Sequence, residues 1–235
     1  MIYHLVVSSA ATLGALWFIR RAERLDMSRV MAIDIAMVAL AAGFLGARLM
    51  HIFYEEPTYY LERPLRALEF WYGGFVYLGG LAGALVGTAF FCDWKRESFW
   101  SWADLAAPPA ALAYALGRLG CFLNGCCYGR YCDLPWAAFS HGEFRHPTQL
   151  YAALWEGGVA YLLTRLDPRF KKPGTLVGLW FVLHGFGRLL MESLRDDPRG
   201  PLLLGQTIGV WLSLVLVAAG SALVATRLVP RLQSH

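Results

Sequence analysis

Stretches of about 20 mainly apolar residues, the length that crosses a bilayer as a helix, recur along this chain at about 3–20, 31–53, 73–92, 103–123, 147–166, 174–193 and 203–226. Such a chain has little choice of fold. In hydrocarbon each backbone N–H and C=O must be satisfied within its own helix, so the segments read as about seven transmembrane helices. They use most of the 235 residues, and the longest connection, 124–146, is too short for a soluble domain. The expected fold is all-α and polytopic, one integral membrane domain over residues 1–235. Composition agrees, with 57% hydrophobic and 16% charged residues, against about half and a quarter in soluble domains. The first segment, MIYHLVVSSAATLGALWFIRR, carries its arginines after the apolar run. That is the reverse of a cleavable signal peptide, so it is expected to stay as the first helix.

Lysine and arginine set the orientation, because cytoplasmic loops carry their excess. Arg20, Arg21, Arg24, Arg29, Lys95, Arg96, Arg165, Arg169, Lys171, Lys172, Arg227 and Arg231 all fall on one side of a seven-helix path. The other side holds half as many, Arg63, Arg66, Arg130, Arg145, Arg195 and Arg199, mixed with acids. The N-terminus is therefore expected outside and the C-terminus in the cytoplasm. The sequence pI near 8.9 reflects cations at helix ends, where topology and anionic lipids account for them; nucleic acid is not an expected partner. Trp94, Trp100 and Trp102 on one side and Tyr54, Tyr59, Tyr60, Trp71 and Tyr72 on the other form interfacial belts.

Charges inside the spans are costly and point to function. Asp34, Arg48 and Asp104 lie near helix ends and read equally as solvated or structural groups, whereas Arg118, Glu156, Arg188 and Glu192 lie deeper. Arg118 sits between glycines in GRLG, with room for a ligand beside its guanidinium. That planar fork of donors suits phosphate or carboxylate oxygens. Arg188 and Glu192 are four apart and share a helical face. Two arginines against few acids call for an anionic ligand, most simply a lipid headgroup. The glycines of the third segment, Gly73, Gly74, Gly79, Gly80, Gly83 and Gly87, suit close helix packing. Gly79 and Gly80 also suit an opened helix end offering N–H groups to an anion. Pro108 and Pro109 would kink the fourth segment or mark its first turn. In the loop that follows, Asn124 and Gly125 suggest a turn, and Pro147 and Thr148 a helix start with His146 and Gln149 at its positive end.

Taken together, several motifs resemble the bacterial prolipoprotein diacylglyceryl transferase family. They are GARL at Gly46–Leu49, GGL at Gly79–Leu81, GRLG followed by Asn124, Gly125, Gly129 and Arg130, RHPTQLY at Arg145–Tyr151 followed by Glu156-Gly157, HGFGRLLMESLR at His184–Arg195, and LGQ at Leu204–Gln206. The resemblance implies transfer of the diacylglyceryl group from phosphatidylglycerol to the lipobox cysteine thiol of a preprolipoprotein at the bacterial inner membrane. It implies as partners phosphatidylglycerol, a preprolipoprotein signal peptide and membrane lipids, and no cofactor. By motif position, Arg118, Arg188, Glu192 and His184 are the candidate catalytic residues, the arginines gripping phosphate and Glu192 orienting Arg188. Asn124, Gly129, Glu156, His146, Gln149, Tyr151, Gly79, Gly80 and Arg48 are candidates for substrate binding.

The chain also departs from the family pattern. Leu78 stands where members carry a histidine thought to act as base, Cys121 and Cys126 replace an asparagine and a glutamate, and His184 replaces a tyrosine. Two readings stay open: His184 or a thiolate from Cys121 or Cys126 removes the proton, or the acceptor or the reaction has changed. Four cysteines, Cys121, Cys126, Cys127 and Cys132, fall within twelve residues. Their C-x4-CC-x4-C spacing matches no paired C-x2-C zinc pattern, so no metal is expected; the outer side permits a disulfide, and whether these cysteines form one stays open. The rival functions are a membrane thiol or redox protein using this cluster, and a lipid binder or headgroup transferase with another acceptor.

Overall fold

The computed structural model describes residues 2–167, 172–197 and 202–228. Arg169, Lys171, Arg199 and Arg231, used above for orientation, lie outside them. Helices dominate: α1 (Ile2–Arg24), α2 (Arg29–Met50), the short α3 (Pro57–Glu62), α4 (Tyr77–Lys95), α5 (Phe99–Leu123), α6 (Thr148–Leu166), α7 (Thr175–Leu194) and α8 (Ile208–Leu228). The seven long ones overlap the seven apolar segments. Among the described residues three stretches, Ile2–Arg24, α2 with the π-turn that extends it to Glu55, and Ile208–Arg227, are long and apolar enough to cross a membrane. Helices α5, α6 and α7 carry Arg118, Glu156, Arg188 and Glu192. Between α5 and α6 lies a hairpin of β1 (Ala138–Ser140) and β2 (Glu143–Arg145), antiparallel with Phe139 opposite Phe144. Its turn residues His141 and Gly142 both have positive φ, as a tight two-residue hairpin turn requires.

The chain divides into two compact units, residues 19–99, and residues 1–18 with 100–235. In the first, α2 and α4 meet through glycines. A methyl group at Gly46 would collide with the Gly79 carbonyl and come within 2.9 Å of the Gly83 Cα. Gly79 and Gly80 thus sit in the opening turns of α4, packed against α2, as small residues allow. The third segment begins as a helix at Tyr77, not at residue 73. Gly73 and Gly74 have φ of 88° and 80°, which takes both out of the helix, and their carbonyls turn to Arg48. That buried guanidinium also reaches the carbonyls of Arg66, Ala67 and Glu69. One arginine at the end of α2 therefore holds the whole 66–74 segment, beside a cavity of about 520 Å³ lined by His51, Tyr59, Tyr60, Arg66 and Tyr72.

In the other unit, α7 and α8 close on each other at two glycines. A methyl group added at Gly178 would lie 3.3 Å from the Gly220 carbonyl oxygen, and one at Gly185 would press on the Ser213 carbonyl. Asp104 of α5 accepts the backbone N–H groups of Gly174 and Val177, both at 2.7 Å. It satisfies orphan donors at the start of α7 and places a carboxylate at the positive end of the helix dipole. Its role is structural. Helix α5 runs through Pro108 and Pro109, which are buried near its middle, rather than starting there.

Candidate active site

Arg118 lies one turn beyond Tyr114 on α5. Its guanidinium bonds the Tyr114 hydroxyl and lies 4.6 Å from that ring's centroid, a cation–π geometry. The ring of Tyr114 also meets that of His184 on α7, with centroids 4.7 Å apart and planes at 84°. His184 Nδ1 lies 2.7 Å from Oε1 of Glu156 on α6, and Trp180 donates its indole N–H to the other carboxylate oxygen at 3.4 Å. The Glu156 and His184 side chains are only 3% and 5% exposed. A buried carboxylate that accepts Nδ1–H holds the imidazole in one tautomer, with the Nε2 lone pair as a proton acceptor.

Arg188, one turn beyond His184, pairs with Glu192 at 3.1 Å as the four-residue spacing predicted. The same carboxylate accepts the Thr207 hydroxyl at 2.6 Å and lies 3.5 Å from the guanidinium of Arg195. Arg188 packs over Gly209, where an added methyl would come within 3.2 Å of its guanidinium. Tyr114, Arg118, Arg195 and Glu192 all lie within electrostatic reach of Arg188. Arg118 and Arg188, singled out from sequence, therefore lie within electrostatic reach of each other and of Tyr114, with Arg188 paired to Glu192.

The loop after α5 is tied to α6 and to the end of α7. Gly129 has no room for a side chain, since a Cβ would sit 2.7 Å from the His146 Cβ and carbonyl. Its N–H bonds the His146 carbonyl, and Arg130 N bonds the Leu194 carbonyl, which ties the loop to the end of α7. Arg145 bridges Glu143 and Asp196, each at 2.9 Å. His146 faces the Tyr151 hydroxyl at 3.3 Å, and Trp136 donates to that hydroxyl at 2.8 Å. Gln149 and Thr148 hold the carbonyls of Cys126 and Cys127, both at 2.6 Å. Asn124 is exposed at the turn that follows α5. All five cysteines are free thiols, and the loop is held by the bonds from α6. The thiol of Cys127 is lowered from its usual range, chiefly by the neighbouring Cys121 and Cys126 and then by the charges of Arg195 and Arg118, while the Cys126 thiol donates to the Cys121 carbonyl at 3.7 Å.

Arg118, Arg188, Glu192, His184, Glu156, Asn124, Gly129, His146, Gln149, Tyr151, Cys121 and Cys126 thus all belong to one unit. Arg48, Gly79 and Gly80 belong to the other. Sequence reasoning missed Tyr114, whose signal was its position four residues before Arg118 on the same face. It also missed the pairing of Glu156 with His184, which lie 28 residues apart on different helices.

The family model for prolipoprotein diacylglyceryl transferase matches residues 1–226. Among curated proteins, a phosphatidylglycerol–prolipoprotein diacylglyceryl transferase of Rhodospirillum rubrum is 37% identical over 222 residues, covering 88% of this chain and 81% of its own. That of Methylocella silvestris is 38% identical over 202 residues (82% and 74%). That of Thermosynechococcus vestitus is 33% identical over 236 residues (93% and 85%). The chain belongs to the prolipoprotein diacylglyceryl transferase family.

Proposed function

We propose that this chain transfers the diacylglyceryl group of phosphatidylglycerol to the lipobox cysteine thiol of a preprolipoprotein. It does so as a seven-span protein of the bacterial inner membrane, with its N-terminus outside, its C-terminus in the cytoplasm and the reaction in the outer half of the bilayer. Family membership and the names of the relatives support the reaction. The observation that supports the mechanism is that Arg118, bonded to Tyr114, lies within electrostatic reach of Arg188.

In this reaction a carbon–sulfur bond forms at the terminal glycerol carbon as the carbon–oxygen bond to phosphate breaks. Glycerol phosphate leaves with the bond's electron pair. Arg118 and Arg188 grip the phosphate and stabilise the charge that grows on it, which is the main source of rate in such a displacement. Glu192, held by Thr207, orients Arg188. The thiol proton goes to His184 Nε2, with Glu156 holding the ring and stabilising the imidazolium that results. Asn124, Gly129, His146, Gln149 and Tyr151 shape the rim where headgroup and peptide enter. Arg48, Gly79 and Gly80 serve substrate through the form of their own unit.

In phosphatidylglycerol vesicles with a lipobox peptide, Arg118→Gln and Arg188→Gln should each slow thioether formation by about 10²–10³, the effect of losing one stabilising donor. Wild-type rates in either variant would reject the clamp. A thiol or redox function on the same scaffold is favoured by the convergence of Cys121, Cys126 and Cys127. It requires the opposite pattern, with activity lost on changing these cysteines to serine and kept in the arginine variants.

A further inference from the structure

The proposed transfer leaves one group of metal-ligating side chains unused. The sulfurs of Cys121, Cys126 and Cys127 all lie within 4.8 Å of one another, although their spacing in sequence matches no zinc pattern. The backbone brings them together. Cys121 lies in the last turn of α5, Cys126 N bonds the Cys121 carbonyl at 3.2 Å, and the chain doubles back through left-handed conformations at Gly125 (φ 70°) and Cys127 (φ 63°). A cysteine in that region is strained, and the bonds from Thr148 and Gln149 to the carbonyls of Cys127 and Cys126 hold it there. The loop geometry is therefore imposed from α6.

We propose that Cys121, Cys126 and Cys127 form a three-sulfur site for a thiophilic divalent ion, zinc above all, with a fourth coordination position open. The inference does not depend on the transferase reading. Three sulfurs at about 2.3 Å from a zinc ion lie about 4 Å apart, so the three side chains need close by less than about an ångström. A disulfide needs its sulfurs at about 2.05 Å, a much larger movement in a loop held at two carbonyls. No carboxylate or imidazole belongs to the cluster, which disfavours hard ions that require oxygen donors. Charge selects further. Three thiolates around a divalent ion carry −1, and around a monovalent ion −2. The smaller residual charge of the divalent complex is the easier one to hold beside the partly buried loop. As each sulfur–metal bond forms, its thiol releases a proton to solvent, so loading needs no oxidant.

The test is cobalt titration of the full chain, purified in detergent with reductant and stripped of metal by a chelator. One equivalent of Co²⁺ should give a sulfur-to-cobalt charge-transfer band that one equivalent of Zn²⁺ abolishes. Cys121→Ser, Cys126→Ser and Cys127→Ser should each weaken Co²⁺ binding by more than the roughly 10–100-fold that loss of an outer partner costs. Cys92→Ser and Cys132→Ser should leave it unchanged. Absence of the band in the unaltered chain overturns the proposal, whatever the variants do, and so does a band that survives all three single substitutions.

Discussion

Replacing Glu156 by leucine removes the acceptor of two buried hydrogen bonds while roughly keeping side-chain volume. The first, His184 Nδ1–H to Oε1 at 2.7 Å, is assisted by the carboxylate charge and contributes about 1.5–3 kcal/mol, whereas the second, from Trp180 at 3.4 Å, contributes about 0.5–1 kcal/mol. The sum is about 2–4 kcal/mol. For a chain of this size each kcal/mol shifts the unfolding midpoint by about 2–4 °C, so thermal unfolding in detergent, followed by tryptophan fluorescence, should show a fall of roughly 4–16 °C. Glu156→Gln keeps one carbonyl acceptor, so its loss should be smaller. The rate tells the functional half. Without the carboxylate, the imidazole loses the partner that fixes its tautomer and stabilises its protonated form, and transfer should slow by about 10²–10⁴, the usual worth of positioned acid–base catalysis. A Glu156→Leu protein with unchanged midpoint and unchanged rate would refute both the buried pair and its part in proton removal.

Other outcomes follow from the same geometry. Gly46→Ala should destabilise the protein by about 1–3 kcal/mol as α2 and α4 are forced apart, whereas Gly158→Ala, where an added methyl meets nothing within 4 Å, should be neutral or stabilise by about 0.5–1 kcal/mol; denaturant titration in micelles compares them. Asp104→Ala should cost about 1–2 kcal/mol by uncapping α7, read as a lower unfolding midpoint. Thr207→Val removes the 2.6 Å bond to Glu192 and should lower kcat for lipobox-peptide lipidation about tenfold through Arg188, with the fold kept, as circular dichroism can check.

Much of the architecture could be read from one period and one length. Seven apolar runs became seven long helices, and the third began late only because Gly73 and Gly74 take left-handed backbone angles under the pull of Arg48. No hydropathy pattern carries that carbonyl trap. Arg118, Arg188 and Glu192 stood out because charge is rare in apolar segments, and the Arg188–Glu192 pair followed from helical spacing. Contacts between helices were not legible in the same way. Nothing local to Glu156 or His184 says that these two side chains, rather than others on α6 and α7, point at each other. The cysteine cluster stayed hidden for a related reason. Spacing rules assume a regular turn, whereas Gly125 and Cys127 fold the chain back and bring Cys121 to the other two.

Central to the chemistry is the action of Arg118 and Arg188 on the same phosphate, and a double-mutant cycle measures this directly. kcat/KM for lipobox-peptide lipidation would be determined in phosphatidylglycerol vesicles for Arg118→Gln, Arg188→Gln and the pair. If both guanidiniums serve one phosphate, the double variant should lose much less than the sum of the single losses, with a coupling of about 0.5–3 kcal/mol. Losses that add to within about 0.5 kcal/mol would mean that the two arginines work at independent sites, contradicting the mechanism.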